Sequence, residues 1–181
     1  MVAVKRPEVA RFYGYVVGLR VRALSDSIVY YVTLVDLAGN EVTVRTRVLP
    51  EWFRIGTPIS GDLVKVAAGR EVYLALREPQ VYSGLKQPRV IRARNIRLEQ
   101  VSGLGRWVIH GENVEGGPVS YPALSDTAVE HARRTLASGE AYLYIAETPS
   151  GSVVIAVQTA GQHTRYERVE KFLKWIENDE R

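Results

Sequence analysis

The stretch that most constrains this chain runs from Ile28 to Leu49, IVYYVTLVDLAGNEVTVRTRVL. It is rich in the β-branched and aromatic residues that fit a pleated, half-buried surface, and Ala38-Gly39-Asn40 supplies a tight turn in its middle. Two strands joined as a ribbon follow from that pattern. In the second strand Val42, Val44, Thr46 and Val48 fall on one face, and Glu41, Thr43, Arg45 and Arg47 on the other. The first face is fit for burial. The second is either a plain solvated face or one offered to something anionic, with Arg45 and Arg47 side by side roughly 7 Å apart.

The residues on either side of the ribbon extend the β pattern. Arg11 to Leu24, RFYGYVVGLRVRAL, reads as a long strand interrupted by Gly14 and Gly18, where a bulge or sharp bend suits glycine. Such a bent first strand is what a small closed barrel needs. In the link after the ribbon, Trp52 and Phe53 are placed to plug a barrel end. Strands follow over residues 59–66 and 71–76, then a loop over 78–89 with two prolines and a glycine. Val90 to Leu98 is the last strand of this half, with Arg92 and Arg94 on one side and Ile91 and Ala93 on the other.

Charge separates the halves. Residues 1–100 hold sixteen Lys/Arg against nine Asp/Glu, whereas residues 101–181 hold eight against eleven. An excess of cations on one half points to a nucleic-acid or other polyanion surface there. Five lysines against nineteen arginines fit a heat-loving source or a GC-rich genome equally well. No apolar run reaches the length of a membrane helix, and the opening MVAVKRPEVAR shows no secretion signal. With no cysteine as well, a cytoplasmic protein free of membrane partners is the expectation.

The bent first strand with Gly14 and Gly18, the LVDLAGNEVTVRT ribbon, the Trp52 link and the GDLVKV start of the fourth strand together resemble the OB-fold, a five-stranded Greek-key barrel. The resemblance covers residues 10–99. Among OB-fold families it is similar to single-stranded nucleic-acid-binding proteins of the replication protein A type. It implies a ligand face on strands two and three together with neighbouring loops. The positions that match are Tyr31, Thr33, Arg45 and Arg47 on the ribbon and Tyr82, Lys86 and Arg89 in the later loop. Arg92 and Arg94 join them as further phosphate contacts, and Tyr31 and Tyr82 are the expected stacking rings. Tyr13, Tyr15 and Tyr30 read mostly as core, their neighbours being apolar.

Beyond Val101 the texture changes, and the boundary of a basic barrel domain (residues 1–100) and an acidic α+β domain (residues 101–181) is placed there. After a glycine-rich segment around Trp107-Val108-Ile109, Ser125 can cap a helix running to Ser138. Strands over 141–147 and 153–159 follow, then a helix over 165–178, giving approximately β-α-β-β-α. That last helix carries Tyr166, Val169, Phe172, Leu173 and Ile176 on one stripe. Phe172, Trp175 and Ile176 are the candidates for an interface with a second copy or a protein partner.

Catalytic and cofactor signatures are not found. His110, His131 and His163 are scattered, and His110-Gly111-Glu112 lacks the cysteines of a zinc deaminase site. No phosphate loop, dinucleotide fingerprint or nucleophile elbow is present. The expectation is therefore a non-enzymatic protein without metal or cofactor that binds single-stranded nucleic acid, DNA in the first instance. The alternative is an adaptor or assembly subunit of a nucleic-acid-processing complex whose barrel binds protein, because a fold alone does not fix its ligand.

Overall fold

The computed structural model describes residues 10–50, 53–101 and 106–162. They form two five-stranded antiparallel sheets and one α-helix of ten residues. The chain divides into two compact units, Met1–Gln87 and Pro88–Arg181.

In the first unit β1 (Ala10–Ala23), β2 (Ile28–Val35), β3 (Glu41–Thr46), β4 (Pro58–Ala68) and β5 (Glu71–Val81) lie in the order β3-β2-β1-β4-β5. Three hairpin-linked strands whose fourth returns beside the first make a Greek key. Its core is Phe12, Val16, Val32, Leu34, Val44, Phe53 and Ile59, all buried, with Leu63, Leu74 and Leu76 packed against them. Each of these side chains is worth roughly 1.5–3 kcal/mol on burial, which is why the alternation of the ribbon dictates which face turns inward. Phe53 is thus a core residue; Trp52 lies outside the described residues. Gly14 sits where the strands press closest: a Cβ there would collide with the Val35 carbonyl.

One irregularity in β1 sets the character of the opposite face. Val16 pairs with Leu34, but the next pair is Gly18 with Thr33, so Val17 is an extra residue in β1. This bulge shifts the alternation by one. Leu19 therefore faces the core, while Arg20 and Arg22 share the other face with Arg11, Tyr13 and Tyr15.

The sequence pattern anticipates a closed barrel, and the sheet is not closed into one. Among the described residues no ladder joins β3 to β5. Side chains span that gap instead: Arg45 Nη1 lies 3.1 Å from Glu71 Oε2, and its guanidinium carbon 4.9 Å from the centre of the Tyr73 ring.

In the second unit β6 (Arg89–Val101), β7 (Arg106–Asn113), β8 (Pro118–Pro122), β9 (Glu140–Thr148) and β10 (Gly151–Thr159) lie in the order β10-β9-β6-β7-β8. The helix α1 (Asp126–Thr135) buries Ala128 and Ala132 against Ile91, Ile109, Leu143, Ile145, Val154 and Val157. Ser125 precedes it in extended conformation, yet its hydroxyl makes no capping bond. Entry to the helix is fixed instead by the Leu124 N–H, which donates to the Val154 carbonyl at 2.9 Å.

Four sequence expectations are corrected here. Residues 89–101 belong to the second unit, at the centre of its sheet, because β6 pairs with both β7 and β9. The boundary therefore falls after Gln87 rather than near Val101. The loop expected over 78–89 shrinks, since β5 continues to Val81 through a bulge at Glu78 and Pro79. An edge strand tolerates proline at such a bulge. Pro118–Pro122 forms a strand that its flanking glycines and prolines concealed. Redrawn at Gln87, the first unit carries twelve Lys/Arg against eight Asp/Glu and the second twelve against twelve. The cationic excess belongs to the first unit, and the second is balanced rather than acidic. The expected terminal helix, with Phe172, Trp175 and Ile176, lies outside the described residues.

Candidate nucleic-acid interface

The ribbon register is fixed by its turn. One carboxylate oxygen of Asp36 accepts hydrogen bonds from the Ala38 and Asn40 N–H groups at 3.0 and 2.9 Å, and the other from the Asn40 side-chain amide at 3.1 Å. A slip of one residue would reverse every side chain, so this local clamp decides what the outer face presents. With the register held, Tyr31 pairs with Arg45 on one side and with Arg20 on the other. Arg20, Tyr31 and Arg45 thus form one cross-strand row over β1, β2 and β3. Neighbours in such a row stand roughly 4.5–5.5 Å apart.

The three members differ in what holds them. The Arg20 guanidinium carbon lies 5.7 Å from the centre of the Tyr31 ring, and Arg20 is exposed with no carboxylate partner among the described residues. Tyr31 is half-buried, and Thr33 beside it approaches Thr43 at 3.5 Å between hydroxyl oxygens. Arg45 is the most enclosed, its side chain only 18% exposed between Glu71 and Tyr73. Arg47, two residues on, is exposed and has no ion-pair partner among the described residues. The pair of equivalent arginines read from the sequence is therefore one clamped and one free. Glu71 is 75% exposed, so its hold on Arg45 is worth at most about 1 kcal/mol and a phosphate can compete for the same guanidinium.

Tyr82 and Lys86 lie in the segment after β5, on the same face but toward the other end of β1. The Tyr82 ring stands 4.9 Å from the Tyr13 ring, tilted by 48°. Lys86 is exposed, and its carbonyl accepts a 3.0 Å hydrogen bond from the Tyr15 hydroxyl. Tyr15 is buried, as the sequence suggests, but Tyr13 is 45% exposed.

Arg89, Arg92 and Arg94 stand in the second unit, on β6, and the latter two are compensated there by carboxylates. Arg92 donates to Glu140 Oε2 from Nε at 2.9 Å and from Nη2 at 2.6 Å, a bond that raises its pKa above the usual range. Arg94 Nε lies 3.9 Å from Glu112, and Arg89 Nη2 donates to the Tyr121 hydroxyl at 3.5 Å. On the face that carries Arg92 and Arg94, His110 bridges Glu99 at 2.7 Å and Ser120 at 2.6 Å. No group of three or more acidic or histidine side chains is arranged to hold a metal among the described residues.

Tyr31, Thr33, Arg45 and Arg47 thus share one face of the ribbon in the first unit, and the β6 arginines belong to the second unit. The structure adds Arg20, Tyr73, Arg11 and Tyr13, which the sequence reading missed. The repeated arginine–tyrosine pairing was the available signal: Arg11 over Tyr13 at 5.6 Å, Arg20 over Tyr31, and Arg45 over Tyr73. Only the Val17 bulge makes it legible for Arg20. Comparison of the chain with known protein families and with curated proteins finds no match to either.

Proposed function

We propose that this chain binds single-stranded nucleic acid through the outer face of its first sheet. The observation that carries the reading is the Arg20–Tyr31–Arg45 row, in which a tyrosine has an arginine as cross-strand neighbour on each side and the Arg20 guanidinium lies over its ring. Phosphates meet the arginines while a base stacks on the ring or on a guanidinium plane, a combination indifferent to sequence. The cations of this face without carboxylate partners among the described residues, Arg20, Arg22 and Arg47, favour a polyanion. The Greek-key order with an unladdered β3–β5 edge agrees with a partly open OB barrel, which supports the same class of ligand. Single-stranded DNA is the first ligand to try, and no catalytic role is assigned.

The test is fluorescence anisotropy of labelled oligothymidylate across a salt titration, with the Tyr31→Ala and Arg47→Glu variants alongside. Affinity that is independent of salt, or equal in both variants and the parent, removes the ribbon as the site.

A second reading, in which the unit docks a protein, is favoured by one feature. Val21, Ile28, Val48 and Val72 are 60, 51, 77 and 69% exposed. Large apolar side chains this exposed are common at partner surfaces. Serine substitutions at Val48 and Val72 that abolish recovery of a partner, yet leave oligonucleotide affinity intact, would establish this role.

A further inference from the structure

We infer that Tyr13 and Tyr82 form a second base-binding subsite, at the opposite end of β1 from the Tyr31 row. The inference rests on the nucleic-acid reading of the first unit and names where else the strand touches it.

Tyr13 and Tyr15 lie on the same face of the same strand, yet their fates differ. Tyr15 is 1% exposed, its hydroxyl tied to the Lys86 carbonyl, whereas Tyr13 is 45% exposed. The cross-strand partner of Tyr13 is Ser60, too small to cover an aromatic ring. Tyr82 supplies a second ring, tilted by 48° at 4.9 Å, so the two form an aromatic surface open to solvent. Tyr82 packs back over Gly84: a Cβ there would collide with its ring, so any side chain at this position has to push the ring aside.

The surrounding charges select the ligand. Arg11 lies 5.6 Å from the Tyr13 ring centre, and its Nη1 donates to Asp62 Oδ1 at 3.2 Å. Asp62 pairs across the ladder with both Arg11 and Arg77, and Lys86 stands exposed in the segment after Tyr82. With Glu78 beside Arg77, three cations stand against two carboxylates here, an excess that favours a guest combining a flat π-face with phosphate. Seven residues of β1 separate Tyr13 from Arg20, roughly 23 Å of strand. An oligonucleotide within the roughly 4–16 nucleotides that modules of this kind cover can touch both ends.

The experiment uses the full chain, oligothymidylate and two variants. Tyr13→Ala removes one ring; Gly84→Ala displaces the other while leaving every ring and charge in the sequence. Each should weaken binding of a twelve-nucleotide oligomer about 5- to 150-fold, the range for losing one stacked base. Irradiation of a 5-bromodeoxyuridine oligomer with the parent protein should cross-link the peptides containing Tyr13 or Tyr82. If Tyr31→Ala weakens binding but both new variants bind as the parent does and no such cross-link forms, this subsite is wrong and the ribbon stands. If no oligomer binds at all, the underlying reading falls with it. Should Tyr13→Ala unfold, as a thermal melt would show, Gly84→Ala and the cross-link decide the matter.

Discussion

Arg45 Nη1 stands 3.1 Å from Glu71 Oε2, and this contact ties together two edge strands that share no hydrogen-bonded ladder. One arginine thus has two partners to choose between, the carboxylate that spans the gap and any phosphate that arrives. The pair is exposed on the glutamate side, so neither choice is strongly favoured by stability.

Replacing Glu71 by Gln is therefore expected to cost less than about 1 kcal/mol of stability while strengthening oligonucleotide binding severalfold. Urea denaturation and anisotropy on the same variant check both halves. Weaker binding would mean that Arg45 must be clamped to serve, not freed.

The salt dependence should single out particular arginines. Each phosphate neutralised contributes a log–log slope of about −0.7 for single strands. Arg20→Ala and Arg47→Ala should each flatten the slope by about that amount. Arg92→Ala should leave it unchanged, since Arg92 is already spent on Glu140 in the second unit. A flattened slope for Arg92→Ala alone would move the ligand to β6.

Gly14→Ala should be destabilising out of proportion to one methyl group. Its Cβ would meet the Val35 carbonyl, a backbone atom that cannot swing aside. Overpacking of this kind costs roughly 1–3 kcal/mol, read as a shift of the thermal or denaturant midpoint. A midpoint within error of the parent would show that the two strands can separate locally at no expense.

The position of β6 gives a prediction about fragments. A chain cut after Gln87 should be soluble and melt cooperatively. One cut after Gln100 carries Ile91, Ala93, Ile96 and Leu98 without the helix and strands that cover them, and should associate or precipitate. Analytical ultracentrifugation of the two fragments separates these cases. Equal solubility would argue that β6 can rest elsewhere.

What could be read from the sequence was local. The ribbon was legible because alternation, β-branched residues and a turn lie within twenty-two consecutive residues. The helix of the second unit was legible in the same way, although Ser125 does not cap it as its type suggests. Non-local pairing was not legible. Residues 89–101 announce a strand with one apolar face, but nothing in them says that β7 and β9 are the partners. Pro79 looked like a loop residue because edge position is a property of the sheet, not of the chain. Half of the candidate site was found on the ribbon. Arg20 and Tyr13 were not, one hidden by a bulge and the other by apolar neighbours that read as core.

The extra residue at Val17 has a meaning for how such a surface could change over time. Substitution alters what a position carries, whereas the bulge determines which side of the sheet a whole run of positions addresses. Deleting Val17 would retain every arginine and tyrosine of the unit. It would nevertheless turn Arg20 and Arg22 toward Leu34 and Val44, or force the hairpin at Ser25 to slip by one. The binding surface is in that sense written in a residue count, and a single codon lost or gained in β1 could erase it or create it while composition and net charge stay almost the same.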